Sequence, residues 1–135
     1  MGEFDRRGID RVNAFRIDQT TFFKQYFEGN AVFNRLKQYY NNSQYRFEVP
    51  LEDFENVKSF LDEHGYILIM NNSPEEYSVV VEKYTNHPEN IFKSSVLQRT
   101  IENYNCFLLK DKVSVEQAVN NGATALKDTP LPNPY

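Results

Sequence analysis

YILIMNNSPEEYSVVVEKY, residues 66–84, decides the fold. YILIMN is apolar at nearly every position, and YSVVVEKY is dense in β-branched and aromatic residues, so both read as strands. NSPEE between them is a turn sequence built around Pro74. Two strands joined by so short a polar link read as a β-hairpin. Tyr66, Leu68 and Met70 fall on one face of the first strand, with Ile67 and Ile69 on the other. Both faces of that strand therefore want cover.

Reading upstream, LEDFENVKSFLDEHG is a helix. Phe54, Val57, Phe60 and Leu61 form its apolar stripe, Glu52, Asp53 and Glu55 suit its positive end, and Gly65 stops it. YRFEVP before it alternates with period two and reads as a strand closed by Pro50. AVFNRLKQYYNN, capped by Asn30, carries Val32, Phe33, Leu36, Tyr39 and Tyr40 at helical spacing. QTTFFKQYFEG, capped by Asp18 and stopped by Gly29, reads as a further helix before it.

Downstream, residues 89–101 are open between two readings. They form a helix begun by Pro88, or SVLQRTI is a strand paired through ENYN with the one after it. YNCFLLK is a strand apolar on both faces. VSVEQAVNNG is a helix with a Ser114–Gln117 capping box, a Val113–Ala118 staple and Gly122 as its stop. With the helical reading of 89–101, the order from residue 46 is β-α-β-β-α-β-α. Its first six elements match a ferredoxin-like sheet. The expected class is α+β: a ferredoxin-like antiparallel sheet with two N-terminal helices and a C-terminal helix. The two N-terminal helices, or a second subunit, would cover the second face of the sheet. Residues 1–16 read as a flexible charged arm, 17–126 as a single domain, and 127–135 as a Pro-rich tail with no packed structure of its own.

Composition narrows the function classes. The chain has 135 residues, enough for one domain with a real core, and its eleven Phe and nine Tyr with no Trp make that core aromatic. A net charge of −4 disfavours binding to a phosphate backbone. No apolar run approaches the ~20 residues of a membrane span. MGEFDRRGIDRV has no apolar signal core, and the single cysteine, Cys106, permits no internal disulfide, so a cytoplasmic location is expected. Cys106 in YNCFLLK reads as a small buried hydrophobe.

Catalytic grammar is missing. There is no phosphate-cradling glycine loop, no G-x-S-x-G and no C-x-x-C. His64 and His87 are the only histidines, and neither has a ligand-like neighbour, so no metal site and no cofactor is expected. His64 lies where a cation favours the end of a helix. The carboxylates Glu52, Asp53, Glu55, Asp62 and Glu63 read as a solvated helix face. What remains is KYTNHPENIFKSSVLQRT, residues 83–100. There Lys83, Tyr84, His87, Lys93 and Arg99, with Ser94, Ser95 and Lys110 nearby, would gather around a small anionic ligand if the ferredoxin-like reading holds.

YRFEVP, KYTNHP and FLLKDKVSVEQAVNNGAT resemble stretches of small uncharacterised cytosolic proteins of halophilic archaea, over roughly residues 20–134. The resemblance implies an archaeal cytosolic origin and no activity. The chain departs from that class in being less acidic and in using Asn where Asp would be usual.

Three functions follow as expectations. The first is a non-catalytic interaction or regulatory domain that self-associates, most simply as a homodimer, through apolar surface left outside the core. The second is a small enzyme or anion-binding protein with a pocket around His87, Lys93 and Arg99. The third is a DNA-associated regulator using basic residues of the N-terminal arm, Arg6, Arg7, Arg11 and Arg16.

Overall fold

The computed structural model describes residues 9–135 and divides the chain into two compact units, 1–72 and 73–135. The described residues form a mixed α+β structure with two sheets.

The first unit runs β1 (Asp10–Ile17), β2 (Thr20–Phe23), α1 (Ala31–Leu36), β3 (Tyr40–Asn41), β4 (Arg46–Pro50), α2 (Phe54–Asp62) and β5 (Tyr66–Asn71). Its sheet has the order β3-β4-β2-β1-β5. All neighbours are antiparallel except β1 and β5, which run parallel with Val12 beside Leu68. One sheet face supplies Val12, Ala14, Phe23, Phe47, Val49 and Leu68 to the core. Val32 and Leu36 of α1 and Phe54, Val57 and Leu61 of α2 close over them. Gly65, at φ 87, turns the chain out of α2, and its carbonyl accepts from Asp10 N at 2.8 Å, which joins the starts of β1 and β5.

Several sequence readings change here. Of the expected arm, residues 1–8, with Arg6 and Arg7, lie outside the described residues, whereas Asp10–Ile17 is an inner strand. QTTFFKQYFEG is not a helix. Thr20 and Thr21 with Phe22 and Phe23 favour extended chain. Phe23 enters the core while Phe22 points to the opposite face, under the Arg46 guanidinium at 4.9 Å. Asp18 caps no helix. It takes the left-handed conformation, φ 57, in the tight turn between β1 and β2. Among the described residues one N-terminal helix forms, not two, and it joins the same core as α2 rather than covering a second face.

The second unit runs β6 (Ser78–Glu82), α3 (Ile91–Ser94), β7 (Ser95–Ile101), β8 (Tyr104–Leu109), α4 (Lys112–Asn120) and β9 (Thr124–Ala125). Its antiparallel sheet has the order β7-β8-β6-β9. Val79, Val81, Phe107 and Leu109 pack under Ile91 and Ala118 on one face. Val80, Ile101 and Cys106 pack with Leu126, Leu131 and Tyr135 on the other.

The strands expected in one ferredoxin-like sheet are thus shared between two sheets. The 66–84 hairpin does not form: β5 pairs with β1, and β6 with β8 and β9. The link lacks the Asn-Gly or Asp-Gly pair of a tight hairpin and instead forms a 3-10 turn at Pro74–Tyr77. Of the two readings of 89–101, the strand holds for most of the stretch, after one short helical turn. The helix after β8 is capped by Asp111, whose carboxylate accepts from Ser114 N at 2.7 Å, and not by Ser114. The stretch 17–126 spans both compact units, and Leu131 and Tyr135 of the tail pack on the second unit's core.

Candidate functional site

The residues singled out in 83–100 sit in the second unit and do not converge. Lys83 N donates to Asn103 O at 3.0 Å, which fixes the loop after β6 against the β7–β8 turn. Tyr84 follows in the left-handed region, φ 67, with its ring 96 % exposed. A bulky residue held in that region is strained, on the order of 1–3 kcal/mol. His87 Nδ1 lies 3.1 Å from Thr85 O, so this nitrogen carries the proton. Its ring stacks on Phe92 at 5.3 Å and meets the edge of Phe107 at 5.5 Å. Lys93 is exposed on α3.

Arg99 is on the other face of the sheet. It is the register partner of Cys106, whereas the ring under His87 belongs to the next residue, Phe107. Successive residues of a strand point to opposite faces. The Arg99 guanidinium instead donates to Pro134 O at 2.8 Å and lies 5.6 Å from the Tyr135 ring. The expected anion pocket of His87, Lys93 and Arg99 is not assembled. Ser95 Oγ donates to Leu97 O at 3.2 Å, and the backbone N–H of Lys110 donates to the Ser94 carbonyl at 2.9 Å.

The basic arm fares similarly where it is described. Arg11 and Arg16 occupy positions of opposite parity on β1, so they do not form one basic surface.

Two of the concave sites in the first unit are lined in part by aromatic rings. One cleft of about 300 Å³ is lined by Tyr26, Phe27, Phe33, Tyr40 and Phe47, with Gln25 and Asn30 at its polar edge. Phe33 and Tyr40 meet Phe47 edge-on at 6.0 and 4.9 Å, and Phe27 does so at 5.5 Å. This interlocked arrangement holds the walls fixed. The Tyr26 ring stands 80 % exposed at the cleft. The chain reaches this geometry because β2 ends at Phe23 and the following residues run without regular structure to Gly29, at φ 71, before α1. The helix expected over QTTFFKQYFEG would have carried Tyr26 and Phe27. The available signal was the β-branched pair ahead of Phe22 and Phe23.

The other cleft, about 460 Å³, lies between α1 and α2. It is lined by Arg35, Asn56, Ser59, Phe60, Glu63 and His64 among others. Arg35 lies over the Phe60 ring at 4.7 Å, and the His64 ring lies 4.5 Å from the same ring. His64 Nδ1 donates to Phe60 O at 2.9 Å, a side-chain cap on the last turn of α2. Asp53 accepts from the Tyr39 hydroxyl at 3.0 Å, and Asp62 pairs with Lys58 at 3.4 Å. Among the described residues no group of three or more His, Cys, Asp or Glu side chains converges as metal ligands. No helix among them is long and apolar enough to cross a membrane.

No protein-family model, curated protein or solved structure matches the chain.

Proposed function

We propose that the protein is a non-catalytic interaction module that self-associates through the aromatic cleft of its first unit, as a two-fold homodimer in the cytoplasm. One observation carries this reading: a largely exposed ring, Tyr26, stands beside a cleft walled by Phe27, Phe33, Tyr40 and Phe47. A surface holding both a knob and a hole is self-complementary about a two-fold axis, where each copy offers the same patch to the other. Exposed aromatics contribute large contact area at small entropic cost, which is why they recur at the centres of interfaces.

Light scattering across micromolar concentrations tests the reading. The expected mass is about twice 15.9 kDa, falling to the single-chain value in Tyr26→Ser. A single-chain mass for the wild type at every concentration would remove self-association.

A second reading has its own observation. Arg35 and His64 flank the same Phe60 ring in the cleft between α1 and α2. That pairing of cationic and titratable groups suits a small oxyanion better than the dispersed residues around His87. Titration with inorganic phosphate, followed by amide shifts of α2, should saturate in the wild type and not in Arg35→Gln. Identical shifts in both proteins would discard the site. The DNA-regulator reading predicts saturable duplex binding with a steep salt slope. The expected outcome is none below micromolar concentration at ~150 mM salt.

A further inference from the structure

The Pro-rich segment after residue 128 is seated on the second unit's sheet. Leu131 and Tyr135 pack against Val80, Ile101, Cys106 and Leu126. Asn133 Oδ1 accepts from Tyr135 N at 2.9 Å, a local turn that brings the Tyr135 ring inward. Arg99 holds the segment twice, through the Pro134 carbonyl and over the Tyr135 ring.

The polar contacts at the bottom of this pocket have a fixed direction. Ser78 Oγ donates its one proton to Pro74 O at 3.0 Å. The 2.7 Å contact between Ser78 Oγ and the Tyr135 hydroxyl must then be donated by Tyr135. With that proton committed, the 3.6 Å contact to Cys106 Sγ is donated by the thiol. Donation runs from the Cys106 thiol through the Tyr135 and Ser78 hydroxyls and ends on the Pro74 carbonyl, which accepts. Ser78 and Cys106 are both buried, so a phenol is the side chain that satisfies both. Burial of the phenol and of the thiol pushes both upward from their ordinary pKa values, which keeps the donors protonated.

We infer that the Ser78–Cys106–Arg99 pocket is a recognition site for an extended peptide presenting a tyrosine after a proline, closed in this structure by the chain's own Leu131–Tyr135 segment. The occupant shows the chemistry of the ligand. It carries Pro132 and Pro134, has no strand or helix, and is fixed by a few side-chain anchors and one carbonyl. Docking of a pre-stiffened, proline-rich chain by spaced anchors is a recurring mode of peptide recognition. None of the segment's anchoring contacts given above requires it to be covalently joined to the sheet. The tether gives the segment an effective concentration in the millimolar range, so it excludes free peptide until the ring is withdrawn. The pocket is separate from the aromatic cleft, and its test does not depend on self-association.

The test uses the full chain and a labelled synthetic peptide, TPLPNPY, with binding read by fluorescence anisotropy. Tyr135→Ala should bind the peptide saturably and at least ~100-fold more tightly than the wild type does. The peptide TPLPNPF should bind about tenfold more weakly, because it leaves the Ser78 oxygen without its donor. Alkylation of Cys106 should be faster in Tyr135→Ala than in the wild type, and the peptide should slow it again. Should Tyr135→Ala not fold, Tyr135→Phe keeps the ring, and the tyrosine peptide should displace its weakened segment more readily than the wild-type one. No saturable binding to a folded variant, or equal binding to wild type and variant, overturns the proposal.

Discussion

Phe23 and Phe47 are register partners on neighbouring strands, and their rings stack with centroids 5.0 Å apart and planes 12° from parallel. Phe47 also meets Phe27, Phe33 and Tyr40, so one ring joins β2, β4, α1 and the chain leading into it. Phe47→Ala should lower stability by about 3–5 kcal/mol, the range for deleting a buried ring in a core that cannot collapse around the gap. Urea unfolding should give a smaller loss for Phe47→Leu. An unchanged midpoint in both variants would mean the ring cluster does not hold this core.

Thr21 is fully buried on β2, opposite Val49, and its hydroxyl is the buried side-chain group with no hydrogen-bond partner among the described residues. A desolvated, unpaired hydroxyl costs roughly 1–3 kcal/mol. Thr21→Val keeps the β-branched shape and removes that cost, so the melting temperature should rise. A drop would show that the oxygen has a partner in solution.

Asp111 accepts from Ser114 N at the start of α4. Asp111→Ala should cost about 1 kcal/mol and Asp111→Asn much less, since Asn caps comparably. Equal losses in the two variants by denaturant unfolding would assign the effect to charge and not to capping.

Tyr39 is pushed above its ordinary pKa by burial first and then by its hydrogen bond to Asp53. The neutral phenol is therefore the form the fold prefers. Its contribution is whole below about pH 10 and is lost as pH rises through the folded-state value. Urea midpoints of wild type and Tyr39→Phe should differ by a constant amount from pH 7 to 9 and draw together as pH rises through the raised folded-state value. A gap that widens with alkali would contradict the assignment.

What the sequence made legible was local. The strands at 46–50, 66–71 and 104–109 and the helix ending before Gly65 follow from period, proline and glycine signals within a few residues. The strand Asp10–Ile17 was hidden because Asp10, Arg11 and Arg16 stand exposed on it and gave the segment the look of a solvated arm. Its main partner, β5, enters from far along the chain in parallel, a pairing with no local signature. The candidate pocket failed for a related reason. His87 and Arg99 are close in sequence, but only the β7–β8 register decides the face on which Arg99 lies. The prolines of the tail suit the absence of helix and strand from Thr129 onward. They did not reveal that Tyr135 would anchor it to Ser78 and Cys106.

The parallel match of Asp10 with Tyr66 sets a waiting time during synthesis. The two positions are 56 residues apart, 66 minus 10. At translation speeds of about 5–20 residues per second, β1 spends roughly 3–11 s before its second neighbour exists. Through that interval it can pair only with β2, and its outer row of amides and carbonyls is an open invitation to another nascent chain. Charged side chains on such an edge discourage trespass. Asp10, Arg11 and Arg16 are the charged side chains that this strand leaves exposed.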